Sequence, residues 1–218
     1  MSSKNFTLRN YNDLITEEDT SMNIKIDCGN FNLPKIKPTI FIDLDGTVYN
    51  LSEHVIKLYN LRHNTHHNPN TVSDYWWSNI DKNREVWEDI LKTEGTFYLG
   101  NPIQNSIEVI DRLHQEGYEI FFVSLPNVGS QGRCLEEKLQ WLQSHFDWVT
   151  YKHLIATGEK HLLAKEHRIL IDDFPKYLIN FELCGGKGIG FRGAIYTDEF
   201  QGTKADTWGE IYELIKGL

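Results

Sequence analysis

The sequence predicts an α/β protein built on a parallel sheet with helices on both faces. Two observations carry this expectation. Short β-branched or aromatic runs alternate with longer segments of helical spacing, the pattern of strand–helix–strand units. Three of the runs stop abruptly at reactive side chains. Ile40-Phe41-Ile42 ends at Asp43, Glu119-Ile120-Phe121-Phe122-Val123 ends at Ser124, and Arg168-Ile169-Leu170-Ile171 ends at Asp172-Asp173. In open α/β sheets, ligands bind at the carboxyl ends of the strands.

The elements follow in chain order. Residues 1–37 are polar and acidic, with Thr16-Glu17-Glu18-Asp19-Thr20-Ser21, and Pro34 and Pro38 punctuate their end. They read as an N-terminal arm or a short extra element against the core. The first core strand is expected at 39–43. In Asp43-Leu44-Asp45-Gly46 the two acids can point the same way along an extended backbone while Leu44 points elsewhere. Gly46 lets the chain turn away.

From 48 to 98 the character changes. Helix-like pieces at 52–60 and 81–91 are joined by a polar, Asn-rich loop. That loop holds His63, His66 and His67, which read as exposed loop residues rather than metal ligands. Gly100-Asn101-Pro102 marks the return to the core. Ile103, Ile107, Ile110 and Leu113 then fall at helical spacing, and Gly117 closes that helix.

After the strand to Ser124 the pattern predicts a helix at 135–144, strands at 148–155 and 168–171, another at 193–197, and a last helix at 207–216. Gly185-Gly186-Lys187-Gly188-Ile189-Gly190 lacks the Gly-Lys-Ser/Thr ending of a phosphate loop and reads as a turn. The expected organisation is an arm at 1–37, a core at 38–47 and 99–218, and an insert at 48–98.

Composition narrows the function. The chain has 218 residues, 40% hydrophobic and 24% charged, in the ordinary globular range. Its net charge of -9 argues against broad binding to nucleic acid polymers or anionic membranes. No apolar stretch approaches the roughly 20 residues of a membrane span, and the polar start shows no signal peptide. Cys28, Cys134 and Cys184 lie far apart, with neither metal-ligand spacing nor the even count of a disulfide framework. A reducing cytoplasm is the expected home.

Carboxylates at strand ends are residue types that phosphate transfer would use. A carboxylate can attack phosphorus and split a slow hydrolysis into two steps. Asp43 is the expected nucleophile. Asp45 is the expected general acid for the leaving oxygen and then the base for the attacking water. A phosphate dianion beside ionised Asp43, Asp172 and Asp173, with Asp45 neutral, gathers about five negative charges, which calls for a divalent cation.

The order Asp43-Leu44-Asp45-Gly46-Thr47, then Ser124, then Lys160 in Ala156-Thr157-Gly158-Glu159-Lys160, then Asp172-Asp173 resembles the haloacid dehalogenase (HAD) superfamily of phosphotransferases. The resemblance covers roughly 39–174. It implies a HAD-like Rossmannoid sheet, with 48–98 as a small helical cap inserted after the first catalytic strand. It further implies Mg²⁺ held by the Asp43 side chain, the Asp45 backbone carbonyl and one acid of the later pair. Asp173 is favoured there, with Asp172 supporting. By the same resemblance Ser124 holds a phosphate oxygen and Lys160 bridges nucleophile and phosphate. Lys152 or Lys165 could take that lysine's place.

A closer resemblance is to the 5′(3′)-deoxyribonucleotidase group. It is carried by Ile169-Leu170-Ile171-Asp172-Asp173-Phe174-Pro175, Glu137-Lys138-Leu139-Gln140-Trp141, Trp208-Gly209-Glu210-Ile211 and Gly95-Thr96-Phe97-Tyr98. This implies dephosphorylation of nucleoside monophosphates, and it leaves a homodimer open. Tyr75, Trp76, Trp77 and Phe97 become candidates to stack on a base, with packing of the insert as their other reading. The chain departs from the group at Gly158, where an arginine is usual, at Phe174, where a basic residue is common, and at Leu125, where a hydroxyl would serve. Two alternatives stay open: a HAD phosphatase for another small phosphorylated metabolite, and a non-catalytic HAD-like binding domain. The second is disfavoured by the presence of every acid.

Overall fold

The computed structural model describes residues 37–130, 132–193 and 198–218. The expected arm, except Lys37, and the expected strand at 193–197, except Gly193, lie outside the described residues. Six parallel strands form one sheet in the order β3-β2-β1-β4-β5-β6. They are β1 (Thr39–Ile42), β2 (Ile120–Ser124), β3 (Leu154–Ala156), β4 (Arg168–Asp172), β5 (Lys187–Phe191) and β6 (Thr203–Ala205). The helices are α1 (Leu51–His63), α2 (Arg84–Leu91), α3 (Ser106–Gln115), α4 (Arg133–His145), α5 (Pro175–Leu183) and α6 (Trp208–Lys216).

Strand alternation sends side chains to two covered faces. Ile40, Ile42, Phe122 and Ile171 pack with Ile110 and Leu113 of α3, Trp141 and Leu142 of α4, and Trp208 and Ile211 of α6. Phe41, Val123 and Leu170 point the other way, onto Leu178 and Phe181 of α5 and onto Phe200. The chain reverses direction across the sheet at β1, which pairs with β2 on one side and β4 on the other. That is the switch point at which such sheets bind ligands.

Three expectations are corrected. The strand expected at 148–155 is mostly turn. Thr150 and His153 cap a 3₁₀ turn over Tyr151–His153, and only Leu154–Ala156 pairs as β3. The glycine-rich segment read as a turn supplies β5. Gly188 is there for closeness, since a Cβ on it would sit 2.9 Å from the Phe200 ring and 3.4 Å from Leu178. Finally, α5 and β6 were not anticipated. Pro175 sits in the first turn of α5, where its missing N–H costs nothing.

Between β1 and α3 the insert builds its own core from Val55, Ile56, Tyr59, Trp77, Trp87 and Ile90, joined by Cys134 of α4. Tyr59 stacks on Trp87 at 4.7 Å and on His63 at 4.4 Å, so His63 is a packing residue. The segments entering and leaving the insert are tied together. Asn50 N–H donates to the Asn101 carbonyl (2.9 Å) and Ile103 N–H to Val48 (2.7 Å). The Tyr49 hydroxyl donates to the Thr96 carbonyl and accepts from Gly100 N–H, each at 2.7 Å. Glu137 of α4 accepts the N–H groups of Gly95 (2.8 Å) and Phe97 (3.0 Å).

Glu137 is thus a buried carboxylate that serves two buried amides. Glu137→Ala leaves both unpaired and should cost roughly 2–4 kcal/mol in urea unfolding, with Glu137→Gln costing less. A loss below about 0.5 kcal/mol would mean that the linker holds itself.

Candidate active site

The site is built where β1 and β4 end side by side. Asp43 N–H donates to the Ile171 carbonyl (2.9 Å), continuing the ladder one residue past β1. The chain then wraps around one acceptor, because the N–H groups of Thr47, Val48 and Tyr49 all converge on the Leu44 carbonyl at 2.8–3.2 Å. Gly46 makes this turn at φ +85°, and a Cβ there would lie 2.3 Å from Asp173 Oδ2. Only glycine satisfies both demands. The Trp208 indole N–H pins the turn through the Thr47 carbonyl (3.0 Å).

Asp43, Asp172 and Asp173 are buried, and each offers an oxygen within 4.8 Å of the others. Among the described residues this is the group that could hold a metal ion. Lys160, fully buried, donates to Asp43 and, at 2.6 Å, to Asp172. It starts the 3₁₀ turn after β3. Lys152 and Lys165, the other lysines considered, are exposed at the surface, and of the three it is Lys160 that meets Asp43 and Asp172. The second oxygen of Asp172 accepts the Phe174 N–H (2.9 Å). Both oxygens of Asp172 are therefore engaged.

Sequence reasoning missed Lys138. Its ammonium donates to Asp45 (2.5 Å), to Ser124 Oγ (2.7 Å) and to the Leu125 carbonyl (3.4 Å), and it lies 4.9 Å from the centre of the Phe97 ring. The available signal was a lysine on the apolar stripe of α4. Cys134, Lys138, Trp141 and Leu142 share one buried face, and a lysine is rarely buried unless paired. The other Asp45 oxygen, Oδ1, is buried with no hydrogen-bond partner. An orphaned carboxylate oxygen over the site suits a group that must later meet a ligand or a proton.

Electrostatics follow from the crowding. Burial pushes the Asp43 carboxyl up to about 7, against the pull of Lys160 and with help from Asp172 and Asp45. Burial, then the charges of Asp43 and Asp172, holds Asp173 well above the ordinary carboxylate range. Burial works most strongly against the charge on Lys138, but Asp45, Cys134 and Asp43 together outweigh it and the pKa rises. The donor set fits a divalent cation: several hard carboxylate oxygens, buried close together, with more negative charge than Lys160 can offset.

Two cavities flank Asp45. One of about 390 Å³ is lined by Gly46, Asp173, Ser52, Tyr75, Trp77 and Arg192. The other, about 510 Å³, is lined by Trp76, Arg84, Phe97, Leu125, Asn127 and Val128. Asp43, Asp45, Ser124, Lys160, Asp172 and Asp173 all meet at this edge. The expected aromatics divide. Trp76 is 42% exposed and carries the Arg84 guanidinium 3.9 Å over its ring, and Phe97 lies deeper in the same cavity. Trp77 is buried in the core of the insert, tilted against Trp87, with its indole N–H on Ser52 (3.1 Å). Tyr75 turns to the core and donates its hydroxyl to the Asp173 carbonyl (2.8 Å). Two departures from the group adjoin, because Leu125 Cδ1 lies 3.0 Å from where a Cβ on Gly158 would stand.

Comparison with known proteins gives the family and the fold. Residues 37–218 match the sequence model of the family described as 5' nucleotidase, deoxy (pyrimidine), cytosolic type C protein. A 5'(3')-deoxyribonucleotidase of Clostridium acetobutylicum is 28% identical over 185 residues, which are 84% of this chain and 97% of that protein. In fold, the chain is similar to a HAD family hydrolase from Deinococcus radiodurans R1 with bound phosphate and sodium. The TM-score is 0.56 at 13% identity, over 83% of this chain and 96% of that one. A HAD-hydrolase of Bacillus subtilis bound to magnesium gives 0.54 at 12%, over 83% and 99%.

The raised carboxyl of Asp43 makes a signed pH prediction for the metal-free protein. A carboxyl near 3.8 unfolded and about 7 folded keeps its proton longer in the folded state. Its contribution to stability is full below pH 3.8 and is lost as pH rises through about 7. In EDTA, stability from urea unfolding should therefore fall between pH 5 and pH 7.5 by more in wild type than in Asp43→Asn, where no proton is released. Equal falls in the two proteins would contradict the crowding.

Proposed function

Because the chain belongs to the family of 5' nucleotidase, deoxy (pyrimidine), cytosolic type C proteins, we propose that it is a Mg²⁺-dependent phosphomonoesterase that acts on deoxyribonucleoside monophosphates through a phosphorylated aspartate. The observation that carries the reading is the packing of Asp43, Asp172 and Asp173 around Lys160 at the switch point of the sheet. Burying that much like charge costs stability, and a site that binds a cation and a phosphate accounts for the cost.

Each side chain has a task in this reading. Asp43 ends the central strand and attacks phosphorus, while Lys160 fixes its carboxylate and faces the incoming phosphate oxygens. Asp45 gives its proton to the leaving oxygen, then takes one from the water that cleaves the acyl phosphate. Lys138 holds Asp45 and Ser124 in register and adds positive charge where a phosphate oxygen would meet the Ser124 hydroxyl. Asp43, the Asp45 backbone carbonyl and Asp173 would hold Mg²⁺, with Asp172 steadying them because its own oxygens are already committed. Bound there, Mg²⁺ would neutralise charge on the phosphate.

Residues 48–98 act as a cap in this reading. The nucleoside occupies the larger cavity, where Trp76 and Phe97 stand beside Asp45. Trp77 supports the cap from within. The natural substrate is a small phosphate ester, and the working compartment is the cytoplasm. Among the described residues no helix is long and apolar enough to cross a membrane.

Three measurements test the reading. Asp43→Asn should fold and lose all but about 1% of turnover, and wild type should be silent in EDTA and recover with Mg²⁺. Full activity in a sample shown to be metal-free would overturn the mechanism. Stacking on Trp76 should be worth roughly 1–3 kcal/mol. Trp76→Ala should therefore raise KM for a deoxyribonucleoside monophosphate with little effect on nitrophenyl phosphate. Unchanged selectivity would remove the nucleoside from that cavity.

A further inference from the structure

One peptide group joins the insert to the acidic cluster. It is the unit between Asp173 and Phe174. Its carbonyl accepts the Tyr75 hydroxyl (2.8 Å), and its N–H donates to Asp172 Oδ1 (2.9 Å). A peptide group is planar and rigid, so the orientation that faces Tyr75 also fixes the donor that holds Asp172. The other Asp172 oxygen accepts from Lys160 at 2.6 Å, and Lys160 holds Asp43. A hydroxyl carried by the insert is thus connected to the nucleophile through one rigid plate, one carboxylate and one ammonium.

The ring of Phe174 runs a second path beside the first. It meets Tyr75 edge-on at 4.9 Å and Tyr177 at 5.3 Å, and the Tyr177 ring lies 4.6 Å from the Lys160 ammonium. A basic residue at 174 would bring charge to the peptide that supports Asp172. Phenylalanine there turns the residue after the acidic pair into a packing surface for the insert. The insert itself enters and leaves the core through paired segments at 48–50 and 100–103, and opening or closure of such an insert would turn about them.

We propose that Tyr75 and Phe174 form a latch through which closure of the insert sets the geometry of Asp172, Asp173 and Lys160. Both are positioning residues, since neither need touch the reacting atoms. The latch rests on the reading of the acidic cluster as a Mg²⁺ phosphatase site. It differs from the role the aromatic triplet first suggests. Trp76 faces a cavity, Trp77 fills the insert, and Tyr75 works on the metal-binding loop. With the latch closed, Mg²⁺ meets ligands already in place. With it broken, part of the population must reorder before binding, and apparent affinity falls by the fraction that is competent.

The test uses Tyr75→Phe, which keeps the ring on Phe174 and deletes the hydrogen bond, and Phe174→Leu, which keeps the backbone contacts and deletes the ring. Mg²⁺ binding is read without substrate, from the Mg²⁺-dependent rise in Tm and by calorimetry. KM and kcat are then measured for nitrophenyl phosphate and for a deoxyribonucleoside monophosphate. Tyr75→Phe should keep its Tm in EDTA, weaken Mg²⁺ roughly five-fold, as for loss of one part-buried hydrogen bond, and raise KM for both substrates with kcat at saturation little changed. Phe174→Leu should shift both in the same direction. Wild-type Mg²⁺ affinity in both variants overturns the latch alone. A KM rise confined to the nucleotide also overturns it, by making Tyr75 a base contact. A wild-type chain that shows no Mg²⁺ response overturns the metal site and the latch with it.

Discussion

The burial of one ammonium group between two carboxylates is the constraint around which the site is arranged. Lys160 has no exposure to water and spans Asp43 and Asp172, which end adjacent strands. Without it, three aspartates could not be packed at the end of the sheet, because each unpaired buried charge costs several kcal/mol. The sheet order serves this pairing. β1 and β4 must be neighbours to bring Asp43 beside Asp172, and the short edge strand β3 must stop where its following turn can carry Lys160 inward. The pairing offsets only part of the like charge. Asp173 keeps a raised pKa beside Asp43 and Asp172. An arrangement that leaves charge uncompensated gives up stability, as functional sites commonly do.

Around that centre the chain sets two further controls. Lys138 belongs to the core helix α4, yet it holds Asp45 and Ser124 and lies against Phe97 of the insert. Its neighbour Glu137 holds the backbone at Gly95 and Phe97. Adjacent residues of one helix thus fix Asp45 and the exit of the insert. On the opposite flank, Tyr75 reaches the loop that carries Asp173. The insert is therefore anchored on both flanks of the acidic cluster. In the proposed reaction, a closed insert would exclude water from the phosphate while positioning the groups that act on it.

Much of this was legible in the chain because chemistry and position coincide at strand ends. An apolar run that stops at a polar side chain marks a strand boundary, so Asp43, Asp45, Ser124, Asp172 and Asp173 could be placed at one edge of the sheet from their surroundings. Lys160 followed from its order among them. Other features were hidden for physical reasons. β5 carries Gly188 and Gly190, which weaken any strand signal, and at Gly188 a side chain would collide with Phe200 and crowd Leu178 of α5. Lys138 hid within a helical stripe, where only its charge among apolar neighbours betrayed it. Tyr75, Trp76 and Trp77 looked like one aromatic patch, but Trp77 adopts φ +53° and the three rings go to three different places. Backbone turns of this kind decide side-chain direction and leave no periodicity to read.

The central claim is that Asp43 is phosphorylated during the reaction. It is tested most directly in the Asp45→Asn variant, where loss of the general base should trap the intermediate. The variant is mixed with radiolabelled nitrophenyl phosphate, whose leaving group needs little protonation, quenched in acid within one turnover and mapped by peptide. The account predicts label on the peptide that contains Asp43, and none when Asp43→Asn is added. Release of labelled phosphate with no label on the protein, or label on a different peptide, would contradict it.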